Sequence, residues 1–374
     1  MLSSFGYFLA VGTQLSVLPI YVEETLGGGA TAVGLTFGAL GISAALLRLW
    51  IGPLGDRQGR RLLIVTGSFI VAIAIGAHAL TDAIWQVFML RLLLGVGEAA
   101  VFVGVATAVQ DLAPPDRRGE AASYFSLSTY GGLAVGPLIG ESVLETHGNS
   151  WAFTVGALLG LVGAGLGLFA PGKPRHPVPR PKTLIHRGAL RPGFVLGLNL
   201  LGYVAFLSFA TLHAGDIGIE RTGMLFAEMA AVVAFMRLFF AKLPDRLGPI
   251  RTSQIGLSAS AIGMFGLYLW QEPAGAYAAV AVYAVGQSLM FPALFVVAVQ
   301  SASEDQRGHA ISTFSLFWDA AIGVGGFAIG GIVALTDRPT AFLVGGVVVV
   351  VDLLLLRIIL GPVLDRGDQS MVRS

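Results

Sequence analysis

The sequence contains no cysteine and little charge. The lack of cysteine among its 374 residues excludes disulfide bonds and thiolate metal sites. Only 12% of the residues are charged, against roughly 25% in soluble domains. With 55% hydrophobic residues, the composition is that of a membrane protein. The six histidines have no metal-ligand spacing and there is no P-loop, so we expect no cofactor, no metal site and no enzymatic activity.

Twelve apolar runs are long enough to span a bilayer, which requires about 20 predominantly apolar residues each. They cover residues 2–23, 31–53, 62–82, 84–110, 119–143, 150–170, 193–214, 220–241, 251–270, 274–300, 309–335 and 339–361. The sequence therefore predicts an all-α membrane protein with twelve transmembrane helices.

Lys and Arg residues lie almost entirely on one side of the predicted membrane. If the N-terminus is cytoplasmic, the inner loops and the C-terminal tail hold 17 of the 23 basic residues. Only Arg221 and Arg338 lie outside, and the other four lie within helices. The positive-inside rule then places both termini in the cytoplasm. We expect a multi-pass protein of the bacterial plasma (inner) membrane.

The chain repeats itself at an offset of 189 residues. The basic turn Gly52-Pro-Leu-Gly-Asp-Arg-Gln-Gly-Arg-Arg61 separates two apolar runs, and residues 241–248 repeat its Leu-x-Asp-Arg-x-Gly pattern. Other pairs at this offset are Gly34 and Gly223, Arg48 and Arg237, Phe102 and Phe291, and Gly136 and Gly325. These matches predict two pseudo-symmetric six-helix bundles, residues 1–170 and 193–361. A Pro-rich basic cytoplasmic linker, 171–192, joins them, and a cytoplasmic tail, 362–374, follows.

Three segments resemble signatures of the major facilitator superfamily. Gly52 to Arg61 meets the family's loop signature, G-x-L-x-D-R-x-G-R-R, in full, and Arg91 to Ala100 is similar to its fourth-helix signature. Gly132 to Gly140 is similar to a Gly-Pro motif associated with antiporters, although Glu141 replaces the second glycine of the usual pair. The resemblance covers essentially the whole chain. It implies the major facilitator fold and, more narrowly, the twelve-helix drug/proton antiporter (arabinose-efflux-type) branch.

The resemblance implies a conformational gate at the basic turn. In the family, the acid at the position of Asp56 helps to latch the two halves near the start of the eleventh helix, and a carboxylate is favoured at a helix N-terminus and beside arginine. The alternative is that the basic residues only anchor the cytoplasmic side. In the second copy, Pro249 and Ile250 replace two arginines, which weakens its expected gating role. The candidate gate residues are Gly52, Asp56, Arg57, Gly59, Arg60, Asp245, Arg246, Gly136 and Pro137.

Four ionisable residues within predicted spans are candidates for proton coupling: Arg91, Glu98, Asp319 and Glu228. Arg91 and Glu98 are seven residues apart, so they project from one helix face, roughly 10 Å apart along the axis. An ionisable residue near the bilayer centre costs at least about 2.5–3.5 kcal/mol unless it faces a cavity or a partner. The family's fourth-helix arginine is associated with proton coupling, which supports Arg91.

Each of these residues also has a structural alternative. Arg91 and Glu98 could form an interhelical hydrogen bond, and the acids Asp319 and Glu228 could pair with Arg48 or Arg237. Those two arginines in turn could extend to the membrane surface or attract an anionic substrate. For Asp352, a packing or oligomer contact is expected.

The family's helix arrangement places helices 1, 4, 7 and 10 around a central cavity. It implies a substrate cavity that includes Gln14, Phe102, Asn199, Tyr203, Gln287 and Phe291. We therefore expect proton-coupled efflux of a small amphipathic or organic molecule by alternating access. The alternatives are uptake or facilitated diffusion of a sugar or organic anion, and a non-transporting membrane sensor or structural protein. The expected partners are the substrate, protons and the lipid bilayer, with no nucleic acid, and the protein is expected to be a monomer.

The substitution Asp56→Asn tests the gate. Because the carboxylate is expected to stabilise one conformation of the transporter by a charge-assisted interaction, its loss should change the initial transport rate at least about fivefold. The rate is measured in protein whose membrane insertion matches that of the unsubstituted chain. An unchanged rate in normally inserted protein would rule out this role for Asp56.

Overall fold

The computed structural model describes residues 1–113, 118–170, 172, 185–240, 243–302 and 307–371. These residues form twelve α-helices and confirm the predicted all-α architecture. The helices are α1 Leu2–Ile20, α2 Gly29–Gln58, α3 Arg60–Ala77, α4 Ile84–Leu112, α5 Arg118–His147, α6 Asn149–Gly167, α7 Arg187–Asp216, α8 Gly223–Phe239, α9 Leu243–Leu269, α10 Pro273–Gln300, α11 Arg307–Leu335 and α12 Pro339–Met371. Among the described residues, nine helices are long and apolar enough to cross a membrane.

The two halves have the same helix packing. In the first half, α1 packs on α5 and α6, α3 packs on α4 and α6, and α2 packs on α4. In the second half, α7 packs on α11 and α12, α9 packs on α10 and α12, and α8 packs on α10. Each of these five contacts of the first half has its counterpart six helices later, as the predicted pair of pseudo-symmetric bundles requires.

Several helices extend beyond the predicted apolar runs. Helix α2 continues through most of the basic turn to Gln58, α7 begins at Arg187, and α12 reaches Met371. The physical reason is that hydropathy marks where a chain leaves the apolar part of a membrane, whereas a helix ends only where its backbone hydrogen bonds end.

The turn after α2 and its counterpart in α9 share an unusual backbone conformation. Gly59 has φ 100° and ψ 154°, and Gly248, 189 residues later, has φ 75° and ψ 163°. Side-chain-bearing residues rarely adopt these angles, so the repeated Leu-x-Asp-Arg-x-Gly pattern ends in glycine at both places for the same backbone reason.

The halves meet along two seams, between α2 and α11 and between α5 and α8. We call the end of the bundle at which α1 begins and α12 ends the terminal face, and the opposite end the distal face. Along the first seam, the backbone of Gly326 lies against Gly34 and Gly38, and Gly41 packs against Gly323. Small residues allow the two helix backbones to approach closely in the absence of a hydrophobic driving force between helices.

Adding one methyl group on the glycine seam should separate the halves. At Gly326, a Cβ atom would lie 2.5 Å from the backbone nitrogen of Gly38 and 2.6 Å from the carbonyl oxygen of Gly34, whereas at Gly331 it would meet nothing within 4 Å. We expect Gly326→Ala to destabilise the protein by about 1–3 kcal/mol through overpacking. The matched control Gly331→Ala, on the same helix, should leave stability unchanged or slightly raised. Thermal unfolding in detergent measures both, and equal melting temperatures would contradict the close approach of the two helices.

Candidate functional site

A buried ion pair joins the two halves of the bundle. The Arg48 guanidinium of α2 binds the Asp319 carboxylate of α11 through Nε and Oδ2 and through a second hydrogen bond of 2.8 Å from Nη2 to Oδ1. The two side chains are only 4% and 1% exposed. Arg48 therefore does not extend to the membrane surface, and the structural pairing of Asp319 with Arg48 is the arrangement present. The pair lies next to the glycine seam, because Gly41 packs against the Asp319 carbonyl.

Glu98 lies next to this ion pair. It is 14 residues from either end of α4, or about 21 Å at 1.5 Å per residue, and its side chain is half-buried. Its electrostatic neighbours are Asp319, Arg48 and Arg91, and it also acts on Tyr203 of the second half. The structure thus brings two acids and two arginines together where the halves meet.

Arg91 is buried, but its partners differ from the interhelical pair considered above. Its Nε donates a 3.1 Å hydrogen bond to the carbonyl of Thr36 on α2, and its guanidinium carbon lies 5.2 Å from the centre of the Phe37 ring. The ion pairs of the described residues do not include Arg91 with Glu98. Arg91 therefore acts on Glu98 at longer range while it holds α4 against α2.

Aromatic side chains surround the charged cluster. Phe102 of α4 lies under the Arg48 guanidinium, 4.8 Å from ring centre to Cζ. In the second half, Trp318 precedes Asp319 and contacts both Tyr203 and Phe291, with ring centres 5.7 and 6.2 Å apart. Three of the predicted cavity residues therefore lie close to the ion pair. Phe102 contacts Arg48 itself, and Tyr203 and Phe291 contact Trp318, which precedes Asp319 in the chain.

The predicted polar cavity residues separate into two groups. Asn199 and Gln287 bind each other through two hydrogen bonds of 3.2 and 3.3 Å, and Gln287 also donates to Ser260. Gln14 is buried with its amide 3.4 Å from the Thr13 hydroxyl, and its Oε1 has no hydrogen-bond partner among the described residues. A role for these amides in substrate binding stays a prediction.

Two other embedded acids lie outside the central cluster. Glu228 on α8 is half-buried, and its electrostatic neighbour is Tyr277 of α10, which Glu141 also influences. Asp352 on α12 is fully buried, and neither carboxyl oxygen has a hydrogen-bond partner among the described residues. Of the two expected contacts, its burial within the chain fits packing and not an oligomer contact. The groups acting on Glu98 include neither acid.

The predicted gate residues of the terminal face are described only in part. Gly52 lies within α2, and Arg246 is exposed near the start of α9. Arg60 is buried and forms a 3.2 Å ion pair with Asp111 at the end of α4. The side chains of Asp56, Arg57 and Asp245 lie outside the described part of the structure.

On the distal face, Glu141 closes the second seam between the halves. Its carboxylate, on α5, accepts hydrogen bonds from the backbone N–H of Thr222 at 2.6 Å, from the Thr222 hydroxyl at 2.7 Å and from the N–H of Gly223 at 2.9 Å. It thus caps the N-terminus of α8, where a negative charge is stabilised. Pro137, one turn earlier, lies against Gly223, and its carbonyl accepts a hydrogen bond from Ser16. Gly136 instead packs on Gly12 of α1, inside the first half.

A second contact between the halves on the distal face is ionic. Arg338, between α11 and α12, binds both Glu23 of the first half and Asp216 at the end of α7. Burial opposes the charged form of Arg338, but hydrogen bonds to Asp216 and Glu23 outweigh it, so the pKa of Arg338 is raised above its ordinary value. The Thr211 hydroxyl adds a 3.0 Å hydrogen bond to the carbonyl of Leu15.

Comparison with known proteins identifies the family. The Major Facilitator Superfamily profile matches residues 1–326 and, in a second alignment, residues 194–370. The chain belongs to the Major Facilitator Superfamily. The MFS-type transporter STM4428 of Salmonella typhimurium is 29% identical over 337 residues, which cover 86% of this chain and 85% of that protein. The MFS-type transporter YhhS of Escherichia coli K12 is 26% identical over 366 residues, covering 94% and 89%.

Solved structures show the same fold. The nucleoside transporter NupG superposes with a TM-score of 0.74 at 17% identity, covering 96% of this chain and 97% of that one. The human organic anion transporter MFSD10 (TETRAN) superposes with a TM-score of 0.72 at 18% identity, covering 95% and 97%. The family match and the MFS-type relatives identify this protein as a membrane transporter of the Major Facilitator Superfamily type.

Sequence reasoning missed the distal contacts of this transporter. The only signal for Glu141 was its departure from a Gly-Gly pair, which gives no partner in the other half. Glu23, Asp216 and Arg338 lie in connections or at the ends of the apolar runs, where a charge is ordinary. The sequence leaves the pairing of Arg48 with Asp319 as one alternative among several, because 271 residues separate them.

Neutralising Glu141 should loosen the distal face of the transporter. Glu141→Gln removes the charge and places an amide donor near N–H groups, so we expect the open-to-closed ratio of this face to rise about 10- to 100-fold, equivalent to about 1.5–3 kcal/mol. Because the chain has no cysteine, spin labels on Ser150→Cys and Gln271→Cys, exposed positions in opposite halves, report the separation directly. The measured distances should shift to longer values.

Glu145→Gln is the matched control, since Glu145 is exposed one turn further along α5. It should leave the label distances unchanged. If Glu141→Gln and Glu145→Gln give the same distances as the unsubstituted chain, Glu141 does not hold the two halves together.

Proposed function

We propose that this chain is a proton-coupled transporter that exports a small amphipathic or organic molecule by alternating access. The observation that carries the proposal is the placement of Glu98 beside the Arg48–Asp319 ion pair, the buried ionic contact between the two halves. An ionisable group inside a membrane bundle that lies beside a movable interface is suited to couple proton binding to conformation.

Charge balance explains how such coupling works. When Glu98 is ionised, its charge attracts Arg48 and repels Asp319. Both effects weaken the Arg48–Asp319 ion pair. When Glu98 carries a proton, both effects end and the Arg48–Asp319 pair is favoured. Protonation of Glu98 therefore stabilises the arrangement in which α2 and α11 are joined, and proton release favours its rearrangement.

The aromatic and amide side chains around the cluster support an amphipathic organic substrate. Phe102 and the aromatic rings of Trp318 and Phe291 provide apolar surfaces. Asn199 and Gln287 provide polar groups. Ligand sites commonly combine apolar walls with a few polar groups in this way. The alternative in which Arg48 and Arg237 attract an anionic substrate is disfavoured, because Asp319 neutralises Arg48.

An organic anion remains the second candidate substrate, with uptake or facilitated diffusion as its mode. The observation that favours it is Arg91, whose guanidinium has five donors, of which the described hydrogen bonds use one. A substrate carboxylate would be a suitable bidentate partner for the rest.

The topology and setting of the transporter follow from charge. We propose that the terminal face is cytoplasmic, because 17 of the 23 basic residues lie there by the predicted topology. The structure then corresponds to a state closed toward the outside by the contacts of Glu141 and Arg338. We also propose a monomer in the bacterial inner membrane.

Glu98→Gln separates proton coupling from substrate movement. In proteoliposomes with an imposed pH gradient, we expect the variant to lose gradient-driven accumulation at least about tenfold while substrate exchange without a gradient persists, because the amide cannot exchange a proton. The control Glu24→Gln, an exposed acid of the distal face, should behave like the unsubstituted protein.

Two results would contradict the proposal. Unaltered accumulation by Glu98→Gln would assign the proton to another acid, with Asp319 next to be tested. Substrate flux of the unsubstituted protein that does not respond to the pH gradient would instead indicate facilitated diffusion. The substrate itself is first sought by a ligand-stabilisation screen on the purified protein.

A further inference from the structure

A groove of about 460 Å³ opens at the terminal face between α9 and α12. Its lining residues are 247–251 at the start of α9, together with Arg357 and Gly361 of α12. Arg251 and Arg357 are exposed, and no carboxylate is found among the described residues that line the groove. It is therefore a positively charged site of a size that holds small ligands or headgroups.

The internal repeat shows how the second half differs from the first at this place. The counterparts of Pro249 and Gly361, 189 residues earlier, are Arg60 and Gly172. There, the backbone N–H of Arg60 donates a 3.0 Å hydrogen bond to the carbonyl of Gly172, and Arg61 donates to the carbonyl of Ala170 at 2.8 Å. These bonds tie the start of α3 to the segment that follows α6.

The second half lacks both of these ties. Pro249 has no N–H with which to reach Gly361, and Ile250, in the place of Arg61, has no side-chain donor. In turn, the arginines of the groove stand where the first half has leucines, because Arg251 corresponds to Leu62 and Arg357 to Leu168. The first half therefore has internal hydrogen bonds at this place, whereas the second half has a pair of positive charges beside an open space.

The position of the groove indicates what occupies it. The apolar span of α12 ends at Gly361, so the groove lies at the boundary between the hydrocarbon core and the headgroups. Leu354 and Ile358, which are 72% and 71% exposed, continue the same side of α12 away from the terminal face. An anionic headgroup between the arginines would thus have an apolar surface beside it for its acyl chains.

We propose that this groove, defined by residues 247–251, Arg357 and Gly361, is a binding site for the phosphate headgroup of an anionic phospholipid. The two guanidinium groups bind the phosphate, a chemistry for which arginine is well suited. The acyl chains lie along the exposed apolar face of α12. The inference depends on the fold and the groove and is independent of the transported substrate.

Native mass spectrometry of the detergent-solubilised full chain tests the site. The probes are phosphatidylglycerol and phosphatidylcholine with identical acyl chains. We expect Arg251→Gln/Arg357→Gln to reduce phosphatidylglycerol affinity about 25-fold, since each basic residue near anionic lipid contributes about fivefold. Phosphatidylcholine binding should be the same in both proteins.

Two further variants separate this site from general charge attraction. Arg187→Gln/Arg191→Gln removes two exposed arginines at the start of α7 and should reduce phosphatidylglycerol affinity much less than the groove variant, because neither residue lines the groove. Ile250→Trp keeps both groove arginines but fills the space, and should weaken binding about as much as the double substitution. If Ile250→Trp binds normally, or if the α7 control loses as much affinity as the groove variant, the groove is not the site.

Inorganic phosphate distinguishes a lipid from a soluble ligand. We expect millimolar phosphate to leave phosphatidylglycerol bound, because it cannot replace the contacts of the acyl chains. Displacement of the lipid by phosphate alone would overturn the assignment to a phospholipid.

Discussion

The pairing of Arg48 with Asp319 is the constraint around which this transporter is built. A charge removed from water inside an apolar bundle is tolerated only when a partner and hydrogen bonds compensate it. The partner here comes from the other half of the chain, so the halves must approach closely enough for the bond to form. The glycines of α2 and α11 permit that approach, and the carbonyl of Asp319 itself packs against Gly41. Charge compensation and backbone packing are thus two parts of one contact between the halves.

Pseudo-symmetry sets the scaffold, whereas the chemistry lies where the halves differ. Gly59 and Gly248 keep the same backbone conformation, and the helices pack in matching pairs. Glu98, however, corresponds to Gln287, which instead hydrogen-bonds with Asn199. On the distal face, Glu141 of one half caps a helix of the other half. The two halves therefore share a fold, but only the first half has a titratable acid at this position of its fourth helix.

Much of the fold could be predicted from the sequence, but less of the site. The number of helices and the repeat follow from apolar runs and one constant offset, both of which are local or periodic signals. Helix ends could not be predicted as well, since α2 continues through its basic segment to Gln58. The partner of Asp319 could not be chosen, because hydropathy places an acid in a span but does not give the direction in which it points. The role of Glu141 could not be predicted, because two of its three hydrogen-bond donors are backbone N–H groups, which every residue type except proline has.

The buried Asp352 has a consequence for how the protein is made. Its helix, α12, has the most apolar span of the nine in the described residues, and runs of valine and leucine flank the acid. An acid at the centre of a helix opposes insertion by the translocon by about 2.5–3.5 kcal/mol, while each Leu or Val favours insertion by about 0.3–0.6 kcal/mol. The surplus of aliphatic residues thus allows the last helix to enter the bilayer alone. The acid is shielded from lipid only by the packing of this helix on α7 and α9, so a helix that has inserted alone exposes its carboxyl group to lipid until it docks there.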